Sequence, residues 1–471
     1  MNAALLNHVS IKVLAKDIFQ GTNVKITTDG HKHLGAALGS PDYRDRYISK
    51  KVADWNQELM TLSKIAETVP HAAYCALVQG VRNKWLYIMR TIPNISHLFQ
   101  PLEDTIRNIL IPAMIGIKVN DVECKLLTLP PKYGGLGITN PTEIAQVEFE
   151  NSLKITHQQQ EFVINQTASA QLDQALYRKA KNEIKQARTA LHEKKVEEVK
   201  GSLSQEKLRL LETTQEKGSS NWLNCLPLKD EGYNLNKLEF RDSIKMRYGW
   251  QLENLPATCP CGNTYSIHHA TSCKLGGFVH MRHNEIRDIT AKLLEEVCND
   301  VRIEPPLQPI RGEQMRYGSS NRSDEARLDV SARGFWNRGQ RAFFDVRVFD
   351  STAPRTLEKP LKSLHQLHEQ EKRRAYNQRV LQIEQGSFTP LVFTTMGGQS
   401  YECDRFYNRL SAMLAEKRGE AKSQTTTYIR CKINFSLLKS ALLCIRGTRR
   451  PKEEWNTNSS SDLTNTLAGL N

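Results

Sequence analysis

The chain has 471 residues, 39% of them hydrophobic, which is enough for two or three domains with their own cores and too long for one ordinary core. Its 65 Lys and Arg against 51 Asp and Glu leave a formal charge of +14, a bias that attracts polyanions and makes nucleic acid the natural partner. No apolar run approaches the roughly 18 to 20 residues of a membrane span, no signal-peptide pattern opens the chain, and ten cysteines over this length are far too sparse for a secreted disulfide scaffold. A reducing interior compartment, nuclear or cytoplasmic, and no membrane partner are therefore expected.

In chain order, VKITT followed by Asp29-Gly30 reads as the tail of a sheet with a hairpin turn. From Tyr43 to about Met114 apolar residues recur at helical spacing (Val52, Trp55, Leu59, Leu62, Ile65, then Trp85, Ile88 and Met89), with Pro70, Pro93 and Pro101 punctuating several packed helices. The segment LPPKYGGLGITNP, Leu129 to Pro141, forces a loop because its prolines and glycines cannot continue a helix. Residues 143 to 216 are rich in Gln, Lys, Glu and Ala and predict a long solvated helical region with one thin buried stripe. Gly218-Ser219-Ser220 marks a break. After it come a helix from Arg282 to about Val297, strands over ARLDV (326–330) and AFFDVRVF (342–349), and a charged helix over 362–385. A strand over FTPLVFTT (388–395), a helix over 404–418 and a disordered Ser/Asn/Thr-rich tail complete the chain.

Two clusters carry chemistry. Cys259 and Cys261 sit on a tight turn and Cys273 returns a third thiolate, with His268 and His269 between, so three sulfurs and an imidazole suit tetrahedral zinc. His269 is the preferred fourth ligand and His268 the alternative; the other seven cysteines read as small buried hydrophobes. Asp329 ends one short strand and Asp345 sits inside the next, and a hairpin through SARGFWNRGQR would bring the two carboxylates together. They could not cheaply stay ionised side by side without a hard cation such as Mg²⁺ or Mn²⁺. Lys372, on the following helix, is the cation that would orient a water or steady a phosphate, with Tyr376 one turn beyond. Arg347 shares Asp345's strand face as an alternative or a phosphate clamp. The bland alternatives are an Asp345 neutralised by Arg347 or Arg341, and a solvated face for the 371–374 run.

The string CPCGNTYSIHHATSCKLGGFVHMRHNEIRD, followed by ARLDV, AFFDVRVF, EKRRAY and FTPLVFTTMGG, resembles the C-terminal region of non-LTR retrotransposon proteins that carry a restriction-like endonuclease. In that family a Cys-Cys-His-Cys knuckle precedes a PD-(D/E)XK core. Here the knuckle falls on Cys259, Cys261, His269 and Cys273, the metal-binding aspartates on Asp329 and Asp345, and the Lys and Tyr four apart on Lys372 and Tyr376. Leu328 stands where the standard motif has proline, and Arg347 where standard restriction enzymes have lysine, in keeping with the family's lysine on the next helix. HKHLGAALGS resembles the segment that closes a reverse transcriptase palm, and LPPKYGGLGITNP a marker within its thumb. Asp17 and Asp29, the only aspartates before residue 31, sit in no polymerase motif, so no polymerisation is expected.

The resemblance implies a multidomain protein: an α-helical thumb-like and linker region, then an α/β (α+β) restriction-endonuclease-like core. It divides as palm end 1–35, thumb-like domain 36–150, charged connector 151–218, compact linker 219–255, zinc knuckle 256–285, endonuclease 286–448 and tail 449–471. The implied activity is Mg-dependent nicking of DNA for target-primed reverse transcription, with zinc in the knuckle. DNA and element RNA are the implied partners, with the polymerase portion supplied in trans. The alternative is a catalytically silent DNA- or RNA-binding remnant.

Overall fold

A computed structural model describes residues 9–24, 26–27, 29–167, 171–308 and 326–449. The first eight residues of the expected palm end and all of the expected tail after Arg449 lie outside them. The chain is mostly helical with a small mixed sheet, a multidomain α+β arrangement. It divides into two units, residues 1–129 with 137–199, and residues 130–136 with 200–471.

In the first unit, β1 (Gly30–His33) and β2 (Ala36–Gly39) form an antiparallel hairpin. Its turn is Leu34-Gly35, both at positive φ (47° and 86°), as a two-residue primed turn requires. The turn expected at Asp29-Gly30 is thus corrected. Gly30 pairs with Gly39 in the ladder, and Asp29 accepts from Ser40 Oγ (3.0 Å) and pairs with Arg46 (2.5 Å). Residues 24, 26 and 27 of the expected strand are outside any strand.

Ser40 then caps α1 (Pro41–Ala66) by accepting the Tyr43 N–H, and proline sits in the first turn, where its missing N–H costs nothing. This helix buries Ile48, Val52, Trp55, Leu59 and Leu62 at three- and four-residue steps, and Trp55 meets Trp85 at 6.2 Å. Two long helices follow, α2 (Pro141–Ile164) and α3 (Gln174–Lys200). The latter buries only Ile184, Val196 and Val199, while its Arg188 and Lys195 pair with Glu148 (2.6 Å) and Glu143 (2.5 Å).

Glu103 in this unit is pushed up to about 7 by burial, then by Glu143, against the pull of Arg107. The native state therefore holds that proton more tightly than the unfolded chain, and stability falls as pH rises from about 4.5 to about 7. The substitution Glu103→Gln is expected to stabilise this unit by about 1 kcal/mol above pH 7, after discounting for partial solvent screening, and to change little below pH 4.5. Urea melts at the two pH values check it; equal shifts at both would refute it.

The second unit runs α4 (Gln205–Gln215), α5 (Lys237–Tyr248), α6 (Ile267–Ser272), α7 (Phe278–Glu295), β3 (Asn299–Ile303), β4 (Val330–Arg333), β5 (Arg341–Phe349), α8 (Leu361–Gln382), β6 (Ser387–Thr394), α9 (Tyr401–Arg418) and α10 (Lys422–Arg446). The 130–136 loop is held here because Arg247 donates to the carbonyls of Pro131 (3.2 Å) and Gly135 (3.4 Å), and Tyr248 to that of Gly134 (3.0 Å). The sheet order is β3-β4-β5-β6, antiparallel except for the parallel β5–β6 pair joined through α8. Pro390 is tolerated because β6 lies at the edge.

One sheet face, with Val330, Phe344, Val346, Leu391 and Phe393, packs on Ile286 and Leu293 of α7, Phe406 and Leu410 of α9, and Ile433 and Leu437 of α10. On the other face Phe343, Phe388, Phe349 and Val392 meet Tyr376, Val380 and Leu364 of α8. Period-two alternation along β5 therefore turns Asp345 and Arg347 to the α8 side. Strand β3 and helix α10 had no sequence signal strong enough to place them. NDVRI is a polar edge strand, and α10 is buried around much of its circumference and rich in β-branched residues.

Candidate active site and metal centre

A hairpin forms between the two aspartates, but its first strand is corrected from 326–330 to Val330–Arg333, largely inside the segment read as turn, which leaves Asp329 just before the strand. Strand β4 pairs antiparallel with β5, Val330 opposite Phe344, so extending the ladder by one pair sets Asp329 across from Asp345. Asp329 is anchored at the strand entrance. Its carbonyl accepts from the Glu304 N–H (2.9 Å), and its Oδ2 accepts from the Val346 N–H (2.6 Å) and contacts His283 Nε2 of α7 at 3.1 Å.

Asp345 is buried, and Lys372 Nζ, reaching in from α8, lies 2.7 Å from its Oδ2. Burial pushes the Asp345 carboxyl above the ordinary carboxylate range, Lys372 pulls it back, and Asp329 pushes it up again. Burial opposes the charge on Lys372, but Asp345 outweighs it and the ammonium is held more firmly than usual. For His283 burial likewise lowers the proton affinity, and the Asp329 carboxylate more than reverses it.

Tyr376 lies one turn along α8, buried against Phe388 at 5.9 Å, with Lys372 Nζ 5.7 Å from its ring centroid. Arg347 is exposed on the α8 side of β5. Neither bland alternative for Asp345 holds, because Lys372 rather than an arginine faces it and Arg341 pairs with Asp300. Within the 371–374 run the solvated-face reading does fit Glu371 and Arg374, which are exposed.

Sequence reading overlooked His283 and the burial of its neighbour Arg282. A signal was present: Phe278, Arg282, Ile286, Ile289 and Leu293 recur at the spacing of one helix face, so an arginine falls on an apolar stripe.

The zinc cluster is built by short-range geometry. Gly262, at φ 90°, lets the chain reverse so that Gly262 N–H donates to the Cys259 carbonyl (2.8 Å) and Cys259 N–H to that of Asn263 (2.9 Å). Ser266 caps α6 by accepting the His269 N–H, and Cys273 closes that helix. The ligand atoms of Cys259, Cys261, His269 and Cys273 lie within 4.8 Å of one another, a Cys-Cys-His-Cys group that could hold zinc. Asn263, through its backbone and side-chain N–H groups, pushes the Cys261 thiol down to about 6, which favours the thiolate a metal needs.

His268 is occupied elsewhere. Its Nδ1 lies 2.8 Å from Asp350 Oδ2 just past β5, and that ion pair ties the knuckle to the strand bearing Asp345. Of the remaining cysteines Cys75, Cys225, Cys403, Cys431 and Cys444 are buried, while Cys124 and Cys298 are only partly so. No helix among the described residues is long and apolar enough to cross a membrane. No protein-family model matches the chain, and no curated protein matches it.

Proposed function

We propose that the second unit is a metal-dependent DNA endonuclease with a restriction-like core, and that the chain is the C-terminal part of a non-LTR retrotransposon protein. The observation that carries this reading is the convergence of Asp329 at the entrance of β4, Asp345 on β5 and Lys372 on α8 on one point of the sheet. The order helix, three antiparallel strands, helix, parallel strand supports a PD-(D/E)XK-like core, since it is the arrangement that sets two acids and a lysine at a strand hairpin.

Asp329 and Asp345 would hold Mg²⁺ or Mn²⁺. The donor set fits, being two hard oxygen ligands, of which the Asp345 carboxyl is pushed up first by its burial and then, against the pull of Lys372, by the charge of Asp329. When bound, such an ion supplies polarisation of the phosphoryl oxygen and a lower pKa for an attacking water. Lys372 orients that water and steadies the phosphate, Tyr376 backs Lys372, His283 fixes the Asp329 carboxylate, and Arg347 meets the phosphate backbone.

DNA, element RNA and a polymerase portion in trans are the partners of this reading, in the nucleus and cytoplasm. The test is supercoiled plasmid with the purified chain. Open circles that appear with Mg²⁺ and vanish on chelation are expected. Salt-sensitive DNA binding with no nicking in Mg²⁺ or Mn²⁺ would replace the enzyme by a silent nucleic-acid-binding remnant.

A further inference from the structure

The turn end of the β4–β5 hairpin gathers arginines. Across β3 and the hairpin, residues 299–303 and 330–341, Arg302, Arg333, Arg338 and Arg341 stand against a single acid, Asp300. Asp300 sits at a bulge between Asn299 and Arg302, with φ 46°, and its carboxylate lies among three of the guanidinium groups. Arg302 donates to it from Nε (2.8 Å) and Nη2 (3.2 Å), Arg341 donates from Nη2, and Arg333 Nε lies 3.8 Å away. Arg341 is fixed further by donating to the Asp300 carbonyl (3.3 Å) and to Ser331 Oγ (2.9 Å). Arg338, exposed on the turn, has no acidic partner among the described residues.

One carboxylate cannot satisfy this group. A guanidinium has about five N–H donors and a carboxylate accepts about four hydrogen bonds, so Asp300 holds three arginines together while most of their donors, and the larger part of their charge, are left over. Shielding the edge strand β3 from further pairing would need only a balanced ion pair. The side chains of Arg302 and Arg333 are 61% and 58% exposed, so the excess charge faces solvent. The register also fixes the direction. Arg333 pairs with Arg341 and Arg302 with Ser331, and Arg341, Phe343 and Asp345 alternate onto the α8 side of β5. Arg341 therefore shares a sheet face with Asp345, roughly 13 Å along the strand, a span of about four phosphates at 3.4 Å of duplex axis each.

We infer that Arg302, Arg333 and Arg338 form a landing edge for the phosphate backbone of duplex DNA, a few nucleotides to one side of the bond cut at Asp345. Arg341 and Asp300 set the spread of the arginines, and an arriving phosphate takes up the donors that Asp300 leaves unused, in the forked geometry that a guanidinium offers to either anion. Duplex DNA is the occupant because the surplus of positive charge complements a row of phosphates, and because the nuclease reading lays the strand to be cut along this face. The inference rests on that reading, and its test is kept separate from cleavage.

The full chain is titrated against a short fluorescent DNA duplex over a salt series, with no added divalent cation and no chelator, so that the knuckle is undisturbed. Arg302→Gln and Arg333→Gln are each expected to reduce the slope of log Kd against log salt by about one, with the lysine replacements retaining it. Asp300→Asn should act in the opposite sense and tighten duplex binding several-fold at low salt, because it removes a competing negative charge. Both arginines are exposed, so their variants should melt as wild type does. Unchanged slopes in the arginine variants, weaker binding by Asp300→Asn, no duplex binding by wild type, or an RNA hairpin that outcompetes the duplex would each overturn the edge. Reduced slopes in a chain that never nicks plasmid leave the edge standing and overturn the nuclease reading. Metal-dependent nicking with unaltered slopes does the reverse.

Discussion

The Asp345→Asn variant is expected to lose plasmid nicking by roughly 10³-fold or more, the scale on which removing a preorganised electrostatic group acts. It is also expected to lose stability, because Lys372 then keeps a largely enclosed ammonium with no carboxylate 2.7 Å away. The informative comparison is the double variant Asp345→Asn/Lys372→Met. Two charges held away from water are removed together, so urea unfolding should show stability recovered to wild type or exceeding it by about 1–3 kcal/mol, while nicking stays absent. A pair retained for structure alone would behave differently, with the double variant no better than the single. Nicking that survives in the double variant would remove Asp345 and Lys372 from the chemistry altogether.

Zinc removal is the second large effect. The purified chain is expected to carry a stoichiometric zinc ion, and cobalt substitution should give the visible bands of tetrahedral thiolate coordination. Replacing the buried Cys273 by alanine should abolish that metal and lower stability by on the order of 4 kcal/mol, as loss of a structural metal does. The damage should spread beyond the knuckle. His268 reaches Asp350 past the end of β5, Tyr265 donates to the Ile445 carbonyl, and Arg449 donates to that of Ala270 (3.0 Å), so the cluster is fastened to β5 and to α10. Proteolysis in chelator should therefore open the 256–285 segment and α10 together. A chain that binds no zinc and melts identically with and without chelator would reject the centre.

Much of the local organisation was legible in the residues. The Cys-x-Cys turn, the alternation of AFFDVRVF and the Lys372/Tyr376 spacing are set by interactions within a few positions of one another, where glycine, strand pleat and helical period act directly. Those features made Asp329, Asp345 and Lys372 candidates beside equally plain structural readings, and the family resemblance is what put them forward before any contact was visible. The choice between His268 and His269 was less accessible, since neighbouring imidazoles differ only in where a short helix points them.

By itself, then, the sequence determined a basic multidomain chain, its thiolate cluster and the strand and helix that bear Asp345 and Lys372. Tertiary structure alone decided that Lys372 rather than Arg347 or Arg341 faces Asp345, that His283 holds Asp329, and that Arg282 is buried. The physical reason is range. Periodicity states which face of an element is apolar, whereas ion pairing depends on which faces meet across a sheet 27 to 46 residues apart in sequence, here from Asp345 to Lys372 and from His283 to Asp329. Strand β3 and helix α10 escaped notice for the same cause: an edge strand pairs on one side only, and a helix buried around much of its circumference has little amphipathic period left to read.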